Sequence, residues 1–283
     1  MPALSYSSRV RPLNESFVRR HVVLSYFVLT FAISWIGALC VAAPRLMRHA
    51  PLPKLTGILM FPAMLLGPSL AGIFLTKIVD GPSGLRDLLS MVCRWRVPAR
   101  WYAALLIPPS LVLLVLLYLE RFVSPVYAPN HFLLGIFFGV PAGILEEIGW
   151  TGYAFRKMCS HNNALSASVF LGLLWTTWHL PVINYLGSAT PHGSYWIAFF
   201  LVFALAMTAM RVLICWIYTN TKSVLLTQLM HVSSTSSLVI FSAPRVTSAQ
   251  EVMWYGLYGA LLWFVVGIVI KCWGRSLTRY IAP

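Results

Sequence analysis

Residues 131–158 read HFLLGIFFGVPAGILEEIGWTGYAFRKM, and this stretch decides the fold. From His131 to Phe155 it is apolar apart from two adjacent glutamates, Glu146 and Glu147. About 20 consecutive apolar residues suffice for a helix to cross the hydrocarbon core of a bilayer. An ionised side chain at the bilayer centre costs about 3 kcal/mol on insertion scales. Two neighbouring carboxylates must therefore face a protein interior or a water-filled cavity, and such groups are functional candidates by default. The other five acidic residues (Glu15, Asp80, Asp87, Glu120 and Glu251) fall at the ends of apolar runs or in connections.

Working outward, the same pattern recurs. Of the 283 residues, 59% are hydrophobic and 10% charged, against roughly a quarter charged in a soluble domain. Apolar runs lie at about 21–43, 56–76, 101–120, 131–158, 163–187, 195–220, 223–242 and 252–271. They predict an all-α, polytopic membrane protein of about eight transmembrane helices. The first run is longer than the apolar core of a signal peptide and is read as a span that stays in place. Several runs contain proline, which membrane helices tolerate where neighbours satisfy the freed carbonyls. Within 81–100, Leu85, Leu88, Leu89 and Val92 follow helical spacing beside Arg86, Asp87, Arg94 and Arg96, which predicts a short interfacial amphipathic helix.

Charge sets the expected orientation. With a cytoplasmic N-terminus, 15 of the 21 Lys and Arg fall on the cytoplasmic side and five on the other, with Arg211 inside a span. The asymmetry predicts both termini in the cytoplasm of a multi-pass protein of the cell membrane. The expected organisation is a basic tail over 1–20, one transmembrane domain over 21–271 with its functional core at 130–240, and a short tail over 272–283. The net charge of +14 is read as loops facing anionic lipid, not as a nucleic-acid surface, since no soluble basic domain exists to carry one. The five cysteines form no CxxC pair, which argues against a disulfide framework or a thiolate zinc site.

The ionisable residues within spans are few: Glu146, Glu147, His179, Arg211 and His231. At 1.5 Å per residue, Glu146 and His179 lie about 20 and 22 Å from the turn that joins their spans. His231 and Thr235 lie about 14 and 20 Å from the turn near Lys222, on the same side. Matched heights predict convergence on one cavity, with Glu147 at its edge or behind the residues that line it. Trp175 and His179 share a helix face at i,i+4, as do His231 and Thr235. Glu146 and Glu147 are about 100° apart, so one can act as a base while the other supports structure. Trp150, Trp175 and Trp178 are read as packing or cavity-lining residues, and His192, in an outer connection, as solvated.

Three motifs then appear in order. Glu146-Glu147-Ile148-Gly149-Trp150-Thr151, Trp175-Thr176-Thr177-Trp178-His179 and His231-Val232-Ser233-Ser234-Thr235 resemble those of the CAAX-protease and bacteriocin-processing (CPBP) intramembrane proteases. In that family the glutamate pair is followed by Arg where Thr151 stands, and the last motif ends in Asn or Asp where Thr235 stands. Thr151 cannot form an ion pair, so one glutamate is expected to be either protonated or paired elsewhere, with Arg211 as the candidate. An Arg restored at 151 is expected to be tolerated, with Glu147 one turn earlier as its partner.

The resemblance implies a membrane-embedded peptidase. Glu146 with His179 would activate water, while His231 and Thr235 stabilise the oxyanion. Glu147, Thr151, Trp175 and Arg211 would support them. If a metal such as zinc is used, Glu146, His179 and His231 are the expected ligands. The substrate would be a membrane-associated or prenylated peptide or protein. The alternatives are a catalytically silent membrane scaffold or immunity protein, and a proton-coupled transporter, which the lack of an internal repeat disfavours.

Overall fold

A computed structural model describes residues 17–50, 54–186 and 192–278. The N-terminal tail, most of which is 1–16, and the end of the C-terminal tail lie outside the described residues. The described chain is all-α. After a single turn at Phe17–Arg20 it runs through α1 (Val22–Leu46), α2 (Lys54–Val79), α3 (Gly81–Val92) and α4 (Ile107–Phe122). Then follow α5 (Ile136–Gly149), α6 (Ala164–Trp178), α7 (Leu180–Leu186), α8 (Trp196–Thr221), α9 (Val224–Phe241) and α10 (Ser248–Trp273).

Seven helical stretches are long and apolar enough to cross a membrane, and the shorter apolar Ala164–Trp178 makes an eighth segment. The run expected at 163–187 is thus broken at His179, two residues before Pro181, into α6 and α7. A break leaves carbonyls without helical donors. One of them, the Trp178 carbonyl, accepts from the indole N–H of Trp35 at 3.1 Å. Pro68, inside α2, is accommodated in the same way. Pro68 lacks the N–H that would bond the Met64 carbonyl, and Ser34 Oγ donates to that oxygen at 2.7 Å.

Contacts between connections sort them to two ends of the bundle. Arg19 reaches the Ile78 carbonyl, Lys157 pairs with Asp80, Arg156 with Asp87, and Ser223 bonds the Arg94 carbonyl. Leu165 N–H and the Asn220 amide meet the carbonyls of Arg275 and Leu277 at the same end. At the other end Phe132 N–H bonds the Ile240 carbonyl and His192 pairs with Glu251. The chain therefore passes from end to end eight times between Arg19 and Leu277, and most of its Lys and Arg gather at one end.

The amphipathic segment forms α3, which lies at that basic end. It buries Leu88 and Met91, while Leu89, on the expected apolar face, is 62% exposed.

Helix α5 is held at the centre by close approach on two sides. A Cβ at Gly143 would stand 2.6 Å from the Gln228 carbonyl of α9, and one at Gly149 would stand 2.1 Å from the Pro68 carbonyl of α2. Small residues permit such backbone contact between membrane helices. Gln228 Nε2 adds a bond to the Ile144 carbonyl, and Ser69 Oγ one to the Leu145 carbonyl. The helix then widens into a π-helix over Trp150–Phe155. Such wide turns are frequent at functional sites because they shift the face on which side chains emerge.

Candidate active site

The two adjacent glutamates have different surroundings. Glu147 is completely buried. Arg211 Nη1 lies 2.9 and 2.8 Å from its two oxygens, and His231 Nδ1 lies 2.9 Å from Oε1. Thr151 Oγ1 donates to Oε2 from one turn further along the same helix. Three elements thus meet on one carboxylate: α8 through Arg211, α9 through His231 and the π-helix through Thr151. The guanidinium that the motif would place at 151 arrives instead from α8.

Glu146 points to a different set. Its Oε2 accepts from the indole N–H groups of Trp175 at 2.7 Å and Trp150 at 3.1 Å. Its Oε1 accepts no hydrogen bond from the described residues. Side chains read as packing residues in the sequence are therefore its hydrogen-bond donors. The signal was present, since an indole buried in a membrane span needs an acceptor for its N–H.

Trp175 is the common neighbour of the site. Its N–H serves Glu146, and the Arg211 guanidinium carbon lies 4.1 Å from its ring centroid. The rings of His179 and His231 meet it edge-on at 5.2 and 5.0 Å. His179 stands at the break between α6 and α7, where its Nδ1 lies 2.7 Å from the Trp175 carbonyl. A carbonyl only accepts, so Nδ1 carries the proton, and the neutral ring keeps a lone pair on Nε2. By the same logic His231 directs Nδ1–H to the Glu147 carboxylate.

A cavity of about 300 Å³ opens beside this cluster. Trp175, His179, Ser234 and Thr235 form part of its wall, and Phe199, Phe203 and Tyr255 most of its aromatic surface. Of the residues expected to share one cavity, His179 and Thr235 line it. Glu146 and His231 are buried, each in contact with Trp175, and are not on the wall. Glu147 lies behind the wall, at the centre of the ionic cluster.

His192 corrects an expectation. It is buried, stacks on Phe199 with centroids 3.8 Å apart, and places Nε2 2.9 Å from Glu251 Oε2 on the wall of the same cavity. A connection residue was read as solvated because nothing in its local sequence announces the approach of α10.

The expected ligand set Glu146, His179 and His231 is not gathered at ligand distances among the described residues. With both Nδ1 atoms and Glu146 Oε2 engaged, the donor atoms they could offer an ion are the two Nε2 atoms and Glu146 Oε1. Among the described residues no three His, Cys, Asp or Glu side chains group at ligand distances.

Comparison with known proteins bears on this same region. Residues 128–237 match the family model described as Rce1-like, type II CAAX prenyl endopeptidase. The resemblance to the CPBP intramembrane proteases is borne out. A relative in Methanococcus maripaludis, CAAX prenyl protease 2, is 34% identical over 94 residues, which are 32% of this chain and 34% of the relative. The chain thus matches about a third of that relative's length. The matched family segment runs from just before α5 to α9 and contains Glu146, Glu147, Thr151, Trp175, His179, Arg211, His231 and Thr235.

Proposed function

We propose that the protein is an intramembrane endopeptidase of the CAAX-protease type that hydrolyses a peptide bond with a glutamate- and histidine-activated water. The observation that carries this reading is the division of labour between the glutamates. Glu147 is saturated by Arg211, His231 and Thr151, whereas Glu146 keeps one oxygen free. In this reading a water bound against Glu146 and His179 attacks the scissile carbonyl carbon. Its proton passes to Glu146 or to the lone pair of His179 Nε2. The oxyanion is met by Thr235 Oγ1–H and by the Nε2–H of a His231 imidazolium, whose Nδ1–H Glu147 holds in place. Collapse of the tetrahedral intermediate breaks the C–N bond, and the stored proton goes to the leaving amine. One well-placed oxyanion donor contributes about 3–4 kcal/mol to the transition state.

No step is routed through a metal, since Glu146, His179 and His231 do not group at ligand distances. The substrate class is a membrane-associated or prenylated peptide or protein, as the name of the archaeal relative suggests. The basic end of the bundle is assigned to the cytoplasm, so that both termini lie there, in the cell membrane.

The test is cleavage of a membrane-peptide library by the purified full chain, with Glu146→Gln as control. Gln keeps shape and accepts the same indole bonds, so the variant should fold with unchanged thermal stability and lose cleavage. Persistence of cleavage in Glu146→Gln would move the base elsewhere, and unfolding of the variant would make the carboxylate structural.

A further inference from the structure

The cavity has a second polar end that the three motifs do not contain. Its wall draws on the start of α8 and α10 and the end of α9, through Phe199, Phe203, Tyr255 and Leu238. All of these lie toward the end of the bundle opposite the basic one. Glu251 sits there, in the first turn of α10.

Its presence is not explained by the helix it stands on. The N-terminus of α10 already has a complete capping box, in which Thr247 and Gln250 satisfy each other's backbone donors. Glu251 Oε2 lies 2.9 Å from His192 Nε2, and His192 is fixed in turn by stacking on Phe199. Oε1 accepts no bond from the described residues, and the side chain keeps 24% of its surface. Among the described residues the remaining wall is apolar, aromatic or neutral, apart from the titratable rings of His179 and His192, and no Lys or Arg lines it. Among the described residues Glu251 is thus the one carboxylate on that wall, held in one orientation by His192 through a single oxygen.

We infer that Glu251, oriented by His192, is a substrate subsite that takes a positively charged group of the peptide, a Lys or Arg side chain or a free amino terminus. This rests on the endopeptidase reading for its catalytic consequence, but not for binding. A carboxylate in an apolar wall attracts a cation more strongly than one in water, because the surrounding medium screens it less. It also selects against acidic peptides, whose like charge would be brought into the same confined space.

The experiment uses the full chain in detergent and labelled apolar peptides that differ at one position, carrying Lys, norleucine or Glu. Binding is read by fluorescence anisotropy on the non-cleaving Glu146→Gln protein, and kcat/KM on the parent. The Lys peptide is expected to bind about tenfold more tightly than the norleucine peptide. Adding Glu251→Gln, which keeps a bond to His192, should level the series, and Glu251→Lys should favour the Glu peptide. An unchanged ranking in Glu251→Gln, or no ranking in the first place, overturns the subsite. Ranked binding without any turnover by the parent would keep the subsite and overturn the endopeptidase reading. Turnover without ranking would do the reverse.

Discussion

Two sets of ion pairs lie on the helices around α5, and they differ in almost everything except their chemistry. At the basic end Arg156–Asp87 and Lys157–Asp80 join α3 to the end of the α5 segment, each at 2.6 Å, with side chains 26–51% exposed. In the middle of the bundle Arg211–Glu147 is equally direct at 2.8 Å and is not exposed at all. Surface pairs contribute about 0–1 kcal/mol, since water solvates either partner once the other is gone. A buried pair contributes little net stability either, but removing one partner strands the other and costs about 3–5 kcal/mol. The rim pairs are therefore dispensable fasteners, while the central pair cannot be dismantled from one side.

The sharpest way to break this comparison is Arg211→Met. Methionine fills the volume without the charge and leaves Glu147 with only His231 and Thr151. A loss of about 3–5 kcal/mol is expected, read as a large fall in thermal stability in detergent. The double variant Arg211→Met with Glu147→Gln should recover much of it, because no carboxylate is then stranded. A single Arg211→Met protein as stable as the parent would show that His231 alone can carry the charge.

Next in size is Thr151→Arg. From sequence alone this change should be tolerated, because Glu147 lies one turn away as a partner. The structure reverses the expectation. Thr151 is buried, and both Glu147 oxygens are already taken by Arg211, His231 and Thr151 itself. A second guanidinium overfills the site, which costs about 1–3 kcal/mol before any charge repulsion. Arg211→Met should rescue Thr151→Arg, since the two arginines then exchange places on one carboxylate. Lack of rescue in thermal melts would mean that position 151 has no room for a guanidinium whatever α8 carries.

A third variant moves from stability to rate. Thr235→Val preserves shape and removes the hydroxyl from the cavity wall. The fold should be unaffected, and kcat should fall by about 10²–10³, the loss typical of one oxyanion donor. A KM increase with kcat unchanged would make Thr235 a binding contact instead.

What could be read in advance follows from which interactions are local. The helices were legible because lipid imposes length and apolarity on every span. Glu146, His179 and His231 were legible because ionisable groups in apolar runs are costly and conspicuous. The break at His179 was not, since Pro181 makes a kink possible and Trp35, 143 residues away from the carbonyl it caps, makes it affordable. Helix geometry alone does not assign the roles of the two glutamates, which the family resemblance supplies. Adjacent residues on a helix diverge by about 100°, and only the packing of α6, α8 and α9 determines which one meets indoles and which meets Arg211. His192 and Glu251 were missed for the same reason, being 59 residues apart and joined only by tertiary packing.

The smallest expected effect completes the comparison. Asp87→Asn removes the partner of Arg156, whose side chain is 35% exposed and also donates to the Gly152 carbonyl through Nη1 at 3.3 Å. The freed guanidinium stays hydrated and keeps that second bond, so the loss should be under about 1 kcal/mol. Added salt should weaken the parent by a similar small amount and the variant less, because an exposed pair is screened by mobile ions. The central pair should be indifferent to the same salt, as no ions reach it. Helix α3 would remain docked through Leu88 and Met91, which are apolar and buried. A loss of several kcal/mol in Asp87→Asn, independent of salt, would place that pair in the same class as Arg211–Glu147. The basic end would then hold the matched segment in shape as firmly as its centre does.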